Sequence, residues 1–403
     1  MEHPVNRRSF MKRAVAGAGL LGVGAGLLSG GGPALAVDAE PAASATPYTG
    51  PNVILVRFGG GVRRRETIDP EHTYSPYLCH ELTKRGTLFT DMQIDSLEGV
   101  ETSHGQGTLY ILSGKYDKFK DVEGTFLKAR FESKVPTVFE YLRKTYDVPA
   151  HQTLIVNGED RTDEEFYTFS NHHLFGVNYR SHVLSLYRFK TYLLRRQIRQ
   201  GRFEGKELEK KQAQLKKLEA LDYRSSERNG QGDAIEGFWE GWRRHYGETG
   251  FINPRGDRLL TELSIRAIHE LRPRLMMINY QDTDYVHWGN MTHYTRGVSV
   301  IDQGIKQLVA AVEADPQYRE NTVFIVVPDC GRDSNRFMAV PCQHHFNTKS
   351  AHEIWALAFG PGIARGRRVA ARVDQTSVAS TVGRVMGFKT PFVEGPVLED
   401  AMA

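Results

Sequence analysis

Apolar residues gather in short runs along the chain, at Asn52 to Phe58, Gly86 to Met92, Gln152 to Val156, Arg274 to Tyr280, Thr322 to Val327 and Glu353 to Phe359. Runs of this length, continuous rather than alternating, predict strands buried on both faces. The first leads into Gly59-Gly60-Gly61, the pattern of a central strand entering a tight loop. Between the runs, apolar positions recur at helical spacing near Gly105 to Leu112, Pro136 to Lys144, Arg258 to Leu271, Arg296 to Ala314 and Gln375 to Met386. Strands alternating with helices predict an α/β fold with a doubly wound, mostly parallel sheet. In such sheets ligands bind beyond the carboxyl ends of the strands, so the residues just after each run are the first place to look for a site.

One stretch breaks the alternation. Tyr187 to Leu218 carries eleven Lys and Arg against three Glu, with Leu186, Phe189, Leu193, Leu194 and Ile198 and then Leu208, Leu215 and Leu218 at helical spacing. It predicts a basic helical hairpin broken at Gly201 to Gly205, an insertion within about residues 183–246. A solvated face on an amphipathic pair explains its charge better than a docking surface for an anionic polymer. The aromatic cluster Gly237 to Tyr246 that follows suits the core better than a sugar-stacking surface.

The amino-terminal segment changes the reading of charge. Arg7-Arg8-Ser9-Phe10-Met11-Lys12, an uncharged run from Ala14 to Leu28 and Ala34-Leu35-Ala36 predict a twin-arginine signal peptide over residues 1–36. A leader over 37–50 follows, with the folded domain at 51–403. The chain has 52 basic and 48 acidic residues; removing Arg7, Arg8, Lys12, Arg13 and Glu2 with the signal leaves 48 against 47, close to neutral. The basic balance therefore does not point to nucleic acid. The apolar run is too short and glycine-rich for a stable membrane span. The expected location is periplasmic or extracellular, with the twin-arginine export machinery as a partner. Cys79, Cys330 and Cys342 are too few for a disulfide scaffold, although Cys330 and Cys342 remain candidates for one bridge.

Acids and imidazoles cluster after the later strands. Gln281-Asp282-Thr283-Asp284-Tyr285-Val286-His287 follows one run, Asp329-Cys330-Gly331-Arg332 follows another, and His352 immediately precedes a third. Carboxylates and imidazoles converging from separate strand ends suit a divalent ion such as zinc or manganese. Taken singly, each group also fits a hydrogen-bonded loop.

The order and phrasing of these pieces, Asp282 to Gly289, Tyr318 to Arg332 and His352 to Ile363, resembles the alkaline phosphatase superfamily, especially its sulfatase-like members. The resemblance extends to Asn52 to Gly61 and Gln375 to Gly387. It implies a two-metal centre, the ions about 4 Å apart, clamping a phosphate or sulfate ester. It also implies zinc, manganese or calcium as the ion, one or two in number, and a small anionic molecule or glycan ester as substrate. One metal site would take Asp284, His287 and His352, with Asp282 as the alternative to Asp284. The other would take Asp329 but departs from the family: Gly59 stands where an acid is expected and Cys330 where a histidine is. A thiolate with His344 or His345 is one way to rebuild it. The expected nucleophile position falls at Gly105, leaving Ser103 or Thr102, with Thr108 behind them, as substitutes and His104 as base or ligand; Thr102 and Ser103 equally suit a helix cap. Glu159, Asp160, His172, His173 and Arg180 are candidates to line a cleft or to face water. An ester hydrolase with an altered second metal site, and a binding protein that has lost turnover, both remain open.

Overall fold

The computed structural model describes residues 47–97, 99–116, 120–121, 131–158, 167–219, 233–248, 256–286, 290–334, 342–344 and 348–403. All the apolar runs are strands. In chain order the main sheet contains β1 (Asn52–Phe58), β2 (Gly86–Gln93), β3 (Thr153–Val156), β4 (His182–Leu184), β5 (Leu275–Asn279), β6 (Thr322–Pro328), β7 (Glu353–Phe359), β8 (Arg367–Val369) and β9 (Val373–Asp374). Their spatial order is β8-β2-β7-β6-β1-β5-β3-β4, with β9 beside β2. Within this sheet β7 alone runs antiparallel, to both β2 and β6; β1 lies parallel between β5 and β6. The mostly parallel α/β architecture read from the sequence is the one observed. β4, β8 and β9 carried no apolar signal because they are two or three residues long at the sheet's margins.

Helices cover both faces. Those used below are α1 (His104–Ser113), α2 (Val138–Tyr146), α3 (Leu186–Arg199), α4 (Gly205–Glu219), α5 (Asp233–Tyr246), α6 (Asp257–Leu271), α7 (Met291–Ala314) and α8 (Ser377–Met386). Successive side chains of β1 divide between the faces, as a strand buried on both sides requires. Val53 and Leu55 pack with Leu109, Phe139 and Val378 of α1, α2 and α8. Ile54, Val56 and Phe58 pack with Leu260 and Ile301 of α6 and α7. Each such side chain, fully withdrawn from water, contributes about 1.5–3 kcal/mol.

Two helix starts differ from expectation for identifiable reasons. α7 begins earlier than Arg296 because Asn290 caps it, its side chain accepting from the His293 amide at 3.1 Å. α8 begins after Gln375, whose side-chain Nε2 instead donates to the Pro328 and Asp329 carbonyls at 2.9 and 3.0 Å and so pins the end of β6.

The basic segment forms α3 and α4. α3 buries Leu186, Phe189, Leu193 and Leu194, whereas α4 buries nothing. Arg195 pairs with Glu219, Arg196 with Glu240 and Glu248, and Arg202 with Glu248. These basic residues thus meet nearby acids, and the aromatic cluster on α5 places Phe238, Trp239 and Trp242 in the same core as α6 and α7. No described helix is long and apolar enough to cross a membrane.

The turn after β5 is held by a reciprocal bracket. Asp257, fully buried at the start of α6, accepts from the Gln281 amide at 2.9 Å and the Asp282 amide at 2.7 Å, while the Asp282 carboxylate accepts from the Asp257 amide at 3.1 Å. Asp257→Ala orphans the buried Gln281 N–H and the half-buried Asp282 N–H and is expected to lower stability by about 2–4 kcal/mol. Urea unfolding tests this; a midpoint equal to that of the wild type would show that the bracket does not hold the turn.

Candidate functional site

The carboxyl edge of β6, β1 and β5 brings together Asp329, Cys330, the Gly59-Gly60-Gly61 loop and the turn carrying Asp284. α1 points its first residue into the same space. Ser103 is the amino-terminal cap of α1, its Oγ accepting from the Gln106 amide at 3.3 Å. The helix comes this close to β6 because residue 107 is glycine: a Cβ there would lie 2.0 Å from the Asp329 carbonyl oxygen.

His104 bridges two carboxylates. Its Nδ1 lies 2.8 Å from Asp329 Oδ2 and its Nε2 2.7 Å from Asp284 Oδ1. Burial alone would loosen the imidazole's proton, but Asp329 and then Asp284 outweigh it and hold His104 well above the ordinary histidine range. Asp329 is fully buried; desolvation opposes its charge, and His104 and Arg57 more than offset this, holding it below the usual carboxylate range. Burial, reinforced by Asp329, pushes the neighbouring Cys330 thiol up to about 11.

His344 completes the group. Its ring lies 4.1 Å from that of His104, its Nδ1 is 2.9 Å from the Thr102 carbonyl, and its Nε2 is 3.6 Å from Asp284 Oδ1. The Thr102 hydroxyl donates to the His344 carbonyl. The donor atoms of His104, Cys330 and His344 all lie within 4.8 Å of one another. Cys330 Sγ lies 3.9 Å from His104 Nδ1. Both ring nitrogens of His104 face carboxylates, Nδ1 Asp329 and Nε2 Asp284, so an ion bound at His104 would take Nε2 from Asp284 and leave Asp329 to set the ring's orientation. These three residues could hold a metal ion.

Two buried arginines serve the cluster. Arg332 donates to the Gly61 carbonyl at 2.9 Å, to Thr283 at 3.1 Å and to the Gly60 and Cys342 carbonyls, and it stands 3.9 Å from Asp284 Oδ1. Arg57 reaches from β1 to Thr108 Oγ1 at 2.7 Å and lies 3.6 Å from Asp329 Oδ2. Neither was identified from the sequence as a site residue. The signal for Arg57 was there, in a single charged residue inside an otherwise apolar buried strand, which must find a partner.

Other expected residues that are described have other partners. At the start of β7, Ile94 and His352 pair through their backbones and His352 Nδ1 faces the Ile94 carbonyl at 3.0 Å. His352 instead lines a cleft of about 850 Å³ with Lys349, Arg372 and Asp374, to which no residue of the His104 cluster contributes. Asp282 is turned into the Asp257 bracket. His287, His345, Glu159 and Asp160 lie outside the described residues. His172 and His173 stack on one another, and Arg180 covers Phe169. All three cysteines are free thiols, and Cys342 Sγ packs 3.1 Å from Met291 Sδ, so the structure contains no Cys330–Cys342 bridge.

No protein-family model and no curated protein matches the sequence. Solved structures do. A protein in the alkaline phosphatase superfamily from Vibrio parahaemolyticus superposes with a TM-score of 0.53 at 12% identity, over 89% of this chain and 73% of that one. A 2-O GAG sulfatase gives 0.51 at 11% identity, over 87% and 73%. Ps i-CgsB, in complex with k-i-k-neocarrahexaose, gives 0.50 at 15% identity, over 86% and 75%. At these identities the likeness concerns architecture: this chain has the α/β fold of the alkaline phosphatase superfamily.

Proposed function

We propose that the chain is an exported, metal-assisted hydrolase of phosphate or sulfate esters. The observation that carries this reading is the buried group of His104, Cys330 and His344 beside Asp284 at the carboxyl edge of the sheet. Those three residues would hold the ion. A thiol with two imidazoles favours zinc over manganese and disfavours calcium, which takes oxygen ligands. The ion would supply Lewis-acid polarisation of the ester.

The chain supplies the rest. Asp329 keeps His104 in one orientation, and Arg57 and Arg332 balance the carboxylates so that an anionic ester meets no net repulsion. Gly105 offers no nucleophile, the Thr102 hydroxyl is engaged with the His344 carbonyl and the Ser103 hydroxyl caps α1. Water is therefore the attacking group. Asp284, the one carboxylate of the cluster with appreciable exposure (21%), takes the proton that water releases as the water oxygen bonds to phosphorus or sulfur, and the alcohol oxygen leaves as an alkoxide that takes a proton from solvent. The engagement of Thr102 and Ser103 also favours a second reading, a binding protein that retains the ion and an anionic ligand without turnover.

Elemental analysis of the purified protein separates these readings. Wild type is expected to carry zinc, and Cys330→Ser and His344→Ala to lose at least tenfold of it. No metal in wild type, or unchanged content in both variants, would end the metal reading. With aryl phosphates and aryl sulfates, Asp284→Asn is expected to lower kcat about 10²–10⁴-fold while metal is retained. A metal-loaded wild type inert across both ester classes would leave the binding protein.

Export is testable separately. Arg7→Lys combined with Arg8→Lys is expected to hold the precursor inside the cell, read by fractionation; equal export of both forms would remove the twin-arginine route.

A further inference from the structure

We infer that the centre takes a single divalent ion, because the position beside Asp329 is already filled by a cation of the chain itself, the Arg57 guanidinium. The inference deepens the metal reading above by fixing the number of ions and the role of Arg57.

Asp329 has no oxygen lone pair to spare. Its Oδ1 accepts from the Gly61 amide at 3.2 Å and the Cys330 amide at 2.8 Å, and its Oδ2 from the Gly60 amide at 3.3 Å and His104 Nδ1 at 2.8 Å. Those four donors fill the sites that a carboxylate offers. His104 brings positive charge to one side of the carboxylate at 2.8 Å, and Arg57 Nη1 adds a second cation at 3.6 Å from Oδ2. Arg57 is 2% exposed, and its guanidinium is fixed by Thr108 Oγ1 at 2.7 Å and the Tyr280 carbonyl at 3.2 Å. It does not deprotonate in a protein, so its charge is permanent.

Arg57 also excludes the ligands that a second ion would need. A Cβ on Gly59 would lie 2.7 Å from Arg57 Nε, 2.9 Å from Nη2 and 2.2 Å from the Tyr280 carbonyl. No carboxylate fits at the end of β1, so an ion placed against Asp329 would face a saturated carboxylate and a fixed guanidinium, with no acid offered by β1. Arg57 is accordingly a positioning residue: it stabilises Asp329, which in turn orients His104.

The test counts ions and then removes the guanidinium. Wild type equilibrated with excess zinc and dialysed is expected to retain one ion per chain; two would overturn the inference. Arg57→Met is expected to lower the melting temperature by several degrees, and by much less in an Asp329→Asn background, while Arg57→Lys stays near wild type. Equal losses in both backgrounds would overturn the assignment. Should wild type retain no ion, the reading in the preceding subsection fails and the comparison of the two backgrounds alone decides the role of Arg57. Should Arg57→Met not fold, the Arg57→Met/Asp329→Asn pair, which removes both charges, is expected to restore folding. If the pair does not fold either, Arg57 acts independently of Asp329 and the inference is overturned.

Discussion

Burying the Asp329 carboxylate with nothing around it would cost several kcal/mol, and much of the local architecture is what prevents that. The carboxyl end of β1 turns through Gly60 and Gly61, both at positive φ (87° and 70°), a conformation that glycine adopts without strain and that aims two successive amides at the carboxylate. α1 approaches closely enough for His104 to reach it only because Gly107 lies against the Asp329 backbone. Gln375 ties the same backbone to the start of α8. A single buried charge thus constrains two loops and two helix ends.

Arg332 performs the reciprocal task. Its guanidinium collects carbonyl oxygens from the loop after β1, the turn after β5 and the segment at Cys342, so the backbone dipoles that would otherwise repel Asp284 are neutralised by one cation. Asp284 and Asp329 are balanced by Arg332 and Arg57 before any ion is considered. Binding a metal at His104, Cys330 and His344 would then displace protons rather than neutralise carboxylates: one shared between His104 and Asp284, the other on a thiol that burial keeps protonated. That requirement favours an ion with high affinity for sulfur and imidazole.

The sheet was legible because each buried strand is an uninterrupted apolar run, and the order of acids and imidazoles after those runs pointed to the edge where Asp284 and Asp329 meet His104. What was not legible was which of them meet. Asp282 and Asp284 are two residues apart on one turn, and only the bracket with Asp257 decides that the first faces α6 and the second faces His104. His352 sits at the expected end of β7, but pairing with Ile94 carries it to the cleft beside β2. His104 stood out as a base or ligand, but its partners depend on Gly107 allowing α1 to pack against β6, a tertiary fact without local signature. Arg57 was hidden by its own strand, since an apolar run is read for its pattern and its one exception is easily passed over.

Site assembly also bears on when an ion can enter. His104 comes from the start of α1, Cys330 from the end of β6, His344 from the segment beyond it and Asp284 from the turn after β5, so the donors share no local stretch of chain. An unfolded chain presents them singly, and binding free energy gained at the assembled group is gained by the folded state alone. Metal binding and folding are then one linked equilibrium, and Cys330, fully buried in the finished structure, is reachable by oxidant only before that equilibrium is established. A route that exports the chain already folded would fit such a site better than one that threads it unfolded into an oxidising compartment, where the free thiols would meet oxidant before they meet the ion.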